Sequence, residues 1–217
     1  MKFAAIFDMD GVLVDSNEYI RHSFNEILSP YNVHLSKSGF KQYLGISVRD
    51  SLKIWKKKYG VNFKVEEFSK QAGMLELSLM KENLELDHNL LKFLNRLKCN
   101  GIPMGVGTSS LRWRAEEILN MLKIQNYFSV VVTADDVSRH KPNPDLFLAV
   151  AKRLNTPPEY CVVFEDAVKG IEAAKRGNMR SVGYLDAYHS EKDLRKADLV
   201  IRDFSEISYN KLKELFC

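Results

Sequence analysis

Short apolar runs recur along the chain and are separated by longer stretches in which apolar residues have helical spacing. Six runs have the length and composition of buried parallel strands: residues 3–7, 102–106, 130–132, 161–164, 181–184 and 199–201. Between them lie amphipathic helices, such as one that carries Leu90, Leu94 and Leu97 and ends before Asn100-Gly101. This alternation predicts an α/β fold in which helices cover both faces of a parallel sheet.

The interval between the first two strands is far longer than one crossover connection requires. Residues 8–101 separate these strands, whereas a crossover needs about a dozen residues including its helix. Apolar residues at helical spacing fill much of the interval, for example Phe24 with Leu28 and Leu52 with Trp55. We therefore predict a core domain formed by residues 1–15 and 87–217, and a small inserted helical domain formed by residues 16–86.

Polar side chains follow four of the predicted strands, and ligands of open parallel sheets bind beyond these strand ends. The residues concerned are Asp8 and Asp10, Thr108 and Ser109, Lys141, and Glu165 and Asp166. Lys141 precedes a helix for which we expect Asn143 as the N-cap and Pro144 as the first helical residue. The sequence thus predicts that carboxylates, hydroxyls and an ammonium group meet at one edge of the sheet.

This set of groups suits phosphoryl transfer from an anionic phosphate monoester. Two carboxylates as close as Asp8 and Asp10 repel each other unless a cation or a shared proton compensates their charge. Mg²⁺ binds few carboxylates and keeps several waters, and we assign it to Asp8, Asp10 and Asp166, with Glu165 nearby. The Asp8 carboxylate can attack phosphorus, whereas Asp10 needs a raised pKa to protonate the leaving group.

Composition and charge narrow the class of protein. The 217 residues include 32 Lys or Arg and 28 Asp or Glu, and the net charge of +4 is far from that of a nucleic-acid-binding protein. The three cysteines are widely spaced without a CxxC pair, which fits a reducing cytosol. Residues 3–7 are too short for a signal peptide, and no apolar run reaches the roughly 18 residues of a membrane span.

We therefore expect a soluble, cytoplasmic protein that binds neither nucleic acid nor membranes. A monomer is the expected state, with a dimer as the alternative, and the partner is a small phosphorylated metabolite.

Four segments resemble, in the same order, the four motifs of the haloacid dehalogenase superfamily: DMDGVLVDS, GVGTSS, RHKPNPD and VVFEDAVKGIEAAKRG. The resemblance is to the branch with β-phosphoglucomutase and phosphoglycolate or small sugar-phosphate phosphatases. It implies a Rossmann-like, doubly wound parallel sheet with a mobile helical cap. It also implies Asp8 as nucleophile and Asp10 as acid/base, with Thr108 and Lys141 on the phosphoryl oxygens. Mg²⁺ would be held by Asp8, the Asp10 carbonyl and Asp166.

Three positions that carry polar side chains in the mutase branch are apolar here. The cap histidine of that branch aligns with Ile20, the cap arginine with Val48, and the lysine of the second motif with Leu111. The resemblance therefore favours a Mg²⁺-dependent phosphatase of sugar phosphates or phosphoglycolate over a sugar-phosphate mutase. A third hypothesis is a non-catalytic phosphate or metal sensor, although a sensor would not need Asp10.

Several residues allow more than one interpretation. Glu165 and Asp166 could cap the helix that follows them. Many phosphatases of the superfamily have an aspartate where this chain has Gly170, which leaves Glu165 and Asp166 as the ligands from this motif. Ser16 and Arg49 are candidates for substrate recognition from the cap.

Overall fold

The computed structural model describes residues 3–217, and a six-stranded parallel sheet forms its centre. The strands are β1 (Ala4–Phe7), β2 (Met104–Gly107), β3 (Val130–Val132), β4 (Cys161–Glu165), β5 (Arg180–Tyr184) and β6 (Leu199–Ile201). They lie in the order β3-β2-β1-β4-β5-β6. The chain winds outward from β1 in both directions, which confirms the predicted Rossmann-like, doubly wound sheet.

Helices flank the sheet on both faces. Those between β1 and β2 are α1 (Asn17–Leu28), α2 (Lys37–Lys41), α3 (Val48–Tyr59), α4 (Val65–Met80) and α5 (His88–Cys99). Those after β2 are α6 (Arg112–Met121), α7 (Asp145–Arg153), α8 (Val168–Arg176), α9 (Glu191–Leu194) and α10 (Tyr209–Glu214). Short 3₁₀ turns span Ser29–Tyr31, Gln125–Tyr127, Ala134–Asp136, Pro158–Tyr160 and Phe204–Glu206. Within residues 3–217, no helix combines the length and apolar character that crossing a membrane requires.

The start of α7 differs from the sequence prediction. The helix begins at Asp145, with Pro144 as its N-cap, so the expected N-cap Asn143 lies outside it. The Asn143 side chain donates to the carbonyl oxygen of His140 at 3.0 Å. Asn143 therefore stabilises the turn that leads from Lys141 into the helix.

Alternate residues of β1 pack on opposite faces of the sheet. Phe7 points to the face covered by α5 and stacks on Phe164 of β4, with the ring centroids 4.7 Å apart. Ile6 points to the opposite face, where it packs in the cluster that contains Phe147 of α7. The strand is buried on both sides, which explains why it reads as a continuous apolar run.

The helices α1 to α4 form a helical cap with a hydrophobic cluster of their own. Trp55 is fully buried at its centre, with the rings of Phe24, Tyr43 and Phe68 around it. Only Ala167 and Tyr188 join this cluster from beyond residue 86, among the buried residues that the structure describes. The cluster supports the division into residues 16–86 and the remainder, which stays our proposal. Residues 1 and 2, where the predicted core domain begins, lie outside the described residues.

The buried indole of Trp55 gives a test of the cap's packing. We expect Trp55→Ala to lower the free energy of unfolding by about 3–5 kcal/mol, because it leaves a cavity in the cap cluster. Urea unfolding followed by circular dichroism measures this loss. The control is Met74→Ala in α4, whose side chain is exposed and whose substitution should change stability by less than about 0.5 kcal/mol. Equal losses for the two variants would contradict the account of the cap.

Candidate active site

The ends of β1 and β4 bring three acidic side chains together. Phe7 of β1 lies opposite Phe164 of β4, so the residues that follow, Asp8 and Glu165, lie at the same level of the sheet. Carboxylate oxygens of Asp8, Glu165 and Asp166 all lie within 4.8 Å of one another, and all three residues are buried. The structure thus brings together the acidic residues that the sequence placed at these strand ends.

The turn at Gly11 allows Asp166 to approach the loop after β1. The φ angle of Gly11 is +78°, a conformation that disfavours other residues. A Cβ atom at this position would lie only 2.0 Å from Oδ2 of Asp166. Gly11 therefore provides both the turn and the space for the third carboxylate.

Lys141 lies between two of these carboxylates and is itself buried. Its Nζ atom is 3.0 Å from Oδ1 of Asp8 and 2.6 Å from Oε1 of Glu165. Burial disfavours the charged ammonium, but the two carboxylates outweigh this effect and raise the pKa of Lys141 above its usual value. The lysine remains positively charged and holds Asp8 beside Glu165.

One ammonium group does not neutralise three buried carboxylates. Burial raises the pKa of Asp8 to about 8 even though Lys141 acts in the opposite direction. The pKa of Asp166 is also raised, first by burial and then by the charges of Glu165 and Asp8. If all of these carboxylates were ionised, the site would have an excess of negative charge, and a divalent cation would compensate it.

The hydrogen bonds indicate which carboxylate oxygens are free for a cation. Glu165 uses both of its oxygens, since Oε1 accepts from Lys141 and Oε2 accepts from the backbone N–H of Ala167 at 2.6 Å. Oδ2 of Asp166 accepts from the Asn17 side chain at 3.0 Å. Within residues 3–217, no donor reaches Oδ2 of Asp8 or Oδ1 of Asp166. These two oxygens have the character of ligands for a hard cation such as Mg²⁺.

The sequence left two roles open for Glu165, a place in the acidic group and a cap of the following helix, and the contacts of its side chain fit both. It belongs to the acidic group, and through the Ala167 N–H it also helps to begin α8, whose N-cap is Ala167. Gly170 provides the space for this arrangement, because a Cβ atom there would lie 1.7 Å from Oε1 of Glu165. An aspartate at position 170 would be incompatible with this position of the Glu165 side chain.

Asp10 does not belong to this acidic group and has four hydrogen-bond contacts of its own. Its Oδ1 accepts from Ser16 at 2.5 Å and from Nη2 of Arg114 at 2.7 Å. Its Oδ2 accepts from Ser110 at 2.8 Å and from Nη1 of Arg114 at 3.0 Å. Burial acts to raise the pKa of Asp10, but the arginine and the hydroxyls outweigh it and lower the pKa. The predicted raised pKa is therefore wrong for this conformation, because sequence reasoning missed Arg114.

Arg114 of α6 joins the core to the cap. Besides Asp10 it contacts Glu76 of α4, with Nε donating to Oε2 at 2.7 Å and Nη2 donating to Oε1. Nη1 also donates to Ser110, so all five N–H groups of the guanidinium have acceptors within the protein. A sequence signal existed, because Arg114 and Glu76 each lie in the buried stripe of an amphipathic helix, where a charge needs a partner.

The remaining predicted site residues lie around this centre. Thr108 is fully buried after β2, and its Oγ1 accepts from the N–H of Ser110 at 3.1 Å. The Ser109 hydroxyl donates to the carbonyl oxygen of Gly45 in the cap at 3.1 Å, while Ser16 contacts Asp10. Arg49 is exposed and lines an adjoining cleft together with Lys141.

A cavity of about 90 Å³ lies between the core and the cap. Asp8, Asp10 and Asp166 border it from the core, and residues of α1, α3 and α4 border it from the cap. The cavity therefore gives a partly open space next to the Asp8 carboxylate, which the sequence predicts to be the nucleophile.

The chain matches a known family and is similar to proteins of known structure. Residues 5–184 match the haloacid dehalogenase-like hydrolases. Over 213 residues the chain is 30% identical to the phosphorylated carbohydrates phosphatase of Thermotoga maritima, covering 98% of this chain and 99% of that protein. Over 219 residues it is 30% identical to the beta-phosphoglucomutase of Bacillus subtilis, covering 97% of this chain and 94% of that protein. The crystal structure of beta-phosphoglucomutase from Clostridium difficile is similar with a TM-score of 0.87 and 27% identity, covering 100% of this chain and 97% of that chain.

The buried contacts of Arg114 predict a large effect on stability. We expect Arg114→Leu to lower the free energy of unfolding by about 3–5 kcal/mol, because it leaves the Glu76 and Asp10 carboxylates without their cation. The matched control is Arg112→Leu, which removes a half-buried arginine with solvent-accessible ion pairs from the same helix and should cost at most about 1 kcal/mol. Urea denaturation of both variants gives the comparison. An Arg114→Leu variant as stable as Arg112→Leu would show that the buried contacts of Arg114 with Glu76 and Asp10 do not stabilise the fold.

Proposed function

The chain belongs to the haloacid dehalogenase-like hydrolase family, and on this basis we propose that it is a Mg²⁺-dependent phosphatase of small phosphorylated metabolites. The observation that carries the proposal is the group of three buried carboxylates that share one ammonium and leave oxygens of Asp8 and Asp166 without donors. The similarity to a phosphorylated carbohydrates phosphatase supports this choice of reaction.

In this proposal Asp8 and Asp166 hold Mg²⁺ through their free carboxylate oxygens, with Glu165 close behind. When bound, the ion supplies positive charge that reduces the repulsion between the Asp8 carboxylate and the phosphate dianion. Lys141 holds the Asp8 side chain at 3.0 Å and adds a second positive charge at the site. Thr108 lies at the end of the neighbouring strand, where its hydroxyl would bind a phosphoryl oxygen.

The proposed reaction has two steps. The Asp8 carboxylate attacks phosphorus and forms an aspartyl phosphate, while the bond from phosphorus to the ester oxygen breaks. Asp10 gives a proton to the departing alkoxide. A water molecule then attacks the aspartyl phosphate and passes its proton to Asp10, which releases inorganic phosphate and restores both carboxyl groups.

The contacts of Asp10 suit the second of these steps. Its ion pair with Arg114 stabilises the ionised carboxylate, which is the form that accepts a proton from water. In the first step Asp10 must carry a proton. We therefore propose that its side chain breaks its hydrogen bonds with the Arg114 guanidinium before the ester bond breaks. Ser16 and Ser110 also donate to Asp10 in the Arg114-bound position.

A sugar-phosphate mutase remains the second candidate, since one relative is a beta-phosphoglucomutase. A mutase would return the phosphoryl group to substrate instead of water. Ile20, Val48 and Leu111 all border the cavity, and none can provide the charged or acid/base group that the mutase branch has at the aligned position. We therefore favour the phosphatase over the mutase.

The roles of the two N-terminal aspartates can be tested by substitution. Asp8→Asn should abolish release of inorganic phosphate, because an amide is a poor nucleophile, and Asp10→Asn should lower kcat by about 10²–10⁴-fold. The matched control is Asp15→Asn, an exposed aspartate in the same segment, which should retain wild-type activity. Phosphate release is measured over a panel of phosphate monoesters with Mg²⁺, and circular dichroism verifies that each variant is folded.

The same panel distinguishes the other candidates. Conversion of a sugar phosphate to its isomer without phosphate release would identify a mutase. No turnover of any ester by the wild-type chain, or full activity of Asp8→Asn, would rule out the proposed mechanism.

A further inference from the structure

The cavity next to Asp8 has an unusual wall on the side where the leaving group would lie. Building on the proposed phosphatase function, we infer that the substrate is a phosphate monoester of a small, mainly apolar alcohol with few free hydroxyl groups. This narrows the substrate class, and it differs from the carbohydrate named for one relative.

The cap contributes mostly hydrocarbon to this wall. Ile20 and Phe24 come from α1, Val48 begins α3, and Leu44 and Ile46 lie in the segment before α3. The three positions at which the mutase branch has polar groups all border the same cavity and are apolar here. A leaving group in this space would contact hydrocarbon on several sides, which favours an apolar molecule.

The core contributes Leu111 and Trp113 to the opposite wall. The indole of Trp113 lies directly against α4, because a Cβ atom added to Gly73 would lie 2.5 Å from its ring. A glycine at this point of α4 lets the cap rest on the aromatic ring. The apolar lining therefore continues from the cap to the core.

The Arg114 guanidinium and the Ser109 hydroxyl, which both border the cavity, already bind groups of the protein. All five N–H groups of Arg114 have acceptors within the protein, and they bind Asp10, Glu76 and Ser110. The Ser109 hydroxyl donates to the cap backbone. With Asp10 bound to Arg114, a polyol would find few free donors and acceptors here, and each hydroxyl buried without a partner costs free energy.

Tyr43 and Ser69 offer a limited polar contact on the cap side. Both border the cavity, and within residues 3–217 neither buried hydroxyl has a hydrogen-bond partner. Buried hydroxyls normally have partners, so a bound molecule with one polar substituent would satisfy a group that the protein leaves unpaired. These two hydroxyls can bind one or two polar substituents of the leaving group, fewer than a sugar carries.

The size of the cavity sets a further limit. Its volume of about 90 Å³ is smaller than the roughly 150 Å³ of an engineered apolar cavity that binds benzene. With the cap in this position, the space suits an alcohol of a few carbon atoms.

A set of matched esters tests this inference. n-Butyl phosphate, 4-hydroxybutyl phosphate and erythritol 4-phosphate share a four-carbon primary alcohol and differ in carrying no, one or three further hydroxyls. We expect kcat/KM of the first two to exceed that of erythritol 4-phosphate by at least about tenfold, because a hydrophobic pocket discriminates against added hydroxyls by roughly this factor or more. Release of inorganic phosphate with Mg²⁺ measures all three.

A pair of variants connects this preference to the cavity wall. Leu111→Gln places an amide in the wall, and it should reduce the preference for n-butyl phosphate over erythritol 4-phosphate by about threefold or more. Met74→Gln makes a similar change at an exposed position of α4 and should leave the ratio unchanged.

The outcomes separate the inference from the function on which it rests. Equal or faster turnover of erythritol 4-phosphate, or an unchanged ratio in Leu111→Gln, would overturn the apolar leaving group while the phosphatase stands. No phosphate release from any ester, including the wider panel, would overturn both.

Discussion

Several carboxylates are buried close together where the strands end, and the free-energy cost of burying their charges constrains the whole site. Two cations partly compensate this cost, and each lies between a pair of carboxylates. Lys141 joins Asp8 to Glu165, and Arg114 joins Asp10 to Glu76. Among the described residues 3–217, Asp166 has no such cation and is held by the amide of Asn17. This remaining negative charge is the physical reason to assign a divalent cation to the site.

The two ion-pair groups have different structural consequences. The group around Lys141 lies within the core and fixes the Asp8 side chain beside β4. The group around Arg114 connects α6 of the core to α4 of the cap, so a movement of the cap that carries Glu76 away would change the contacts of Arg114. The same guanidinium holds Asp10, and the position of the cap is thereby linked to the proposed acid/base residue.

The sequence was sufficient to predict the sheet because its central strands are buried on both faces. Their apolar runs located all six strands to within two residues, and Val130–Val132 and Leu199–Ile201 were predicted without error. The acidic residues at the ends of β1 and β4 were predicted for a related reason. A parallel sheet brings the carboxyl ends of neighbouring strands to one edge, so residues distant in sequence can be placed together.

Long-range pairing of charges was not predictable in the same way. Glu76 and Arg114 are 38 residues apart, and no strand register relates them. Their position in apolar helix stripes indicated that each needed a partner, but not which one. Without Arg114, the environment of Asp10 was misjudged and its pKa was expected to rise. The predicted start of α7 was one residue too early, because Pro144 takes the N-cap position.

Calorimetric titration of the chain with MgCl₂ tests the central claim most directly. The excess of buried carboxylate charge predicts one Mg²⁺ per chain, with binding lost in Asp166→Asn and retained in the exposed control Asp15→Asn. If the wild-type chain bound no Mg²⁺, or if Asp166→Asn bound it as tightly as the wild type, the carboxylates would not form the cation site on which this account depends.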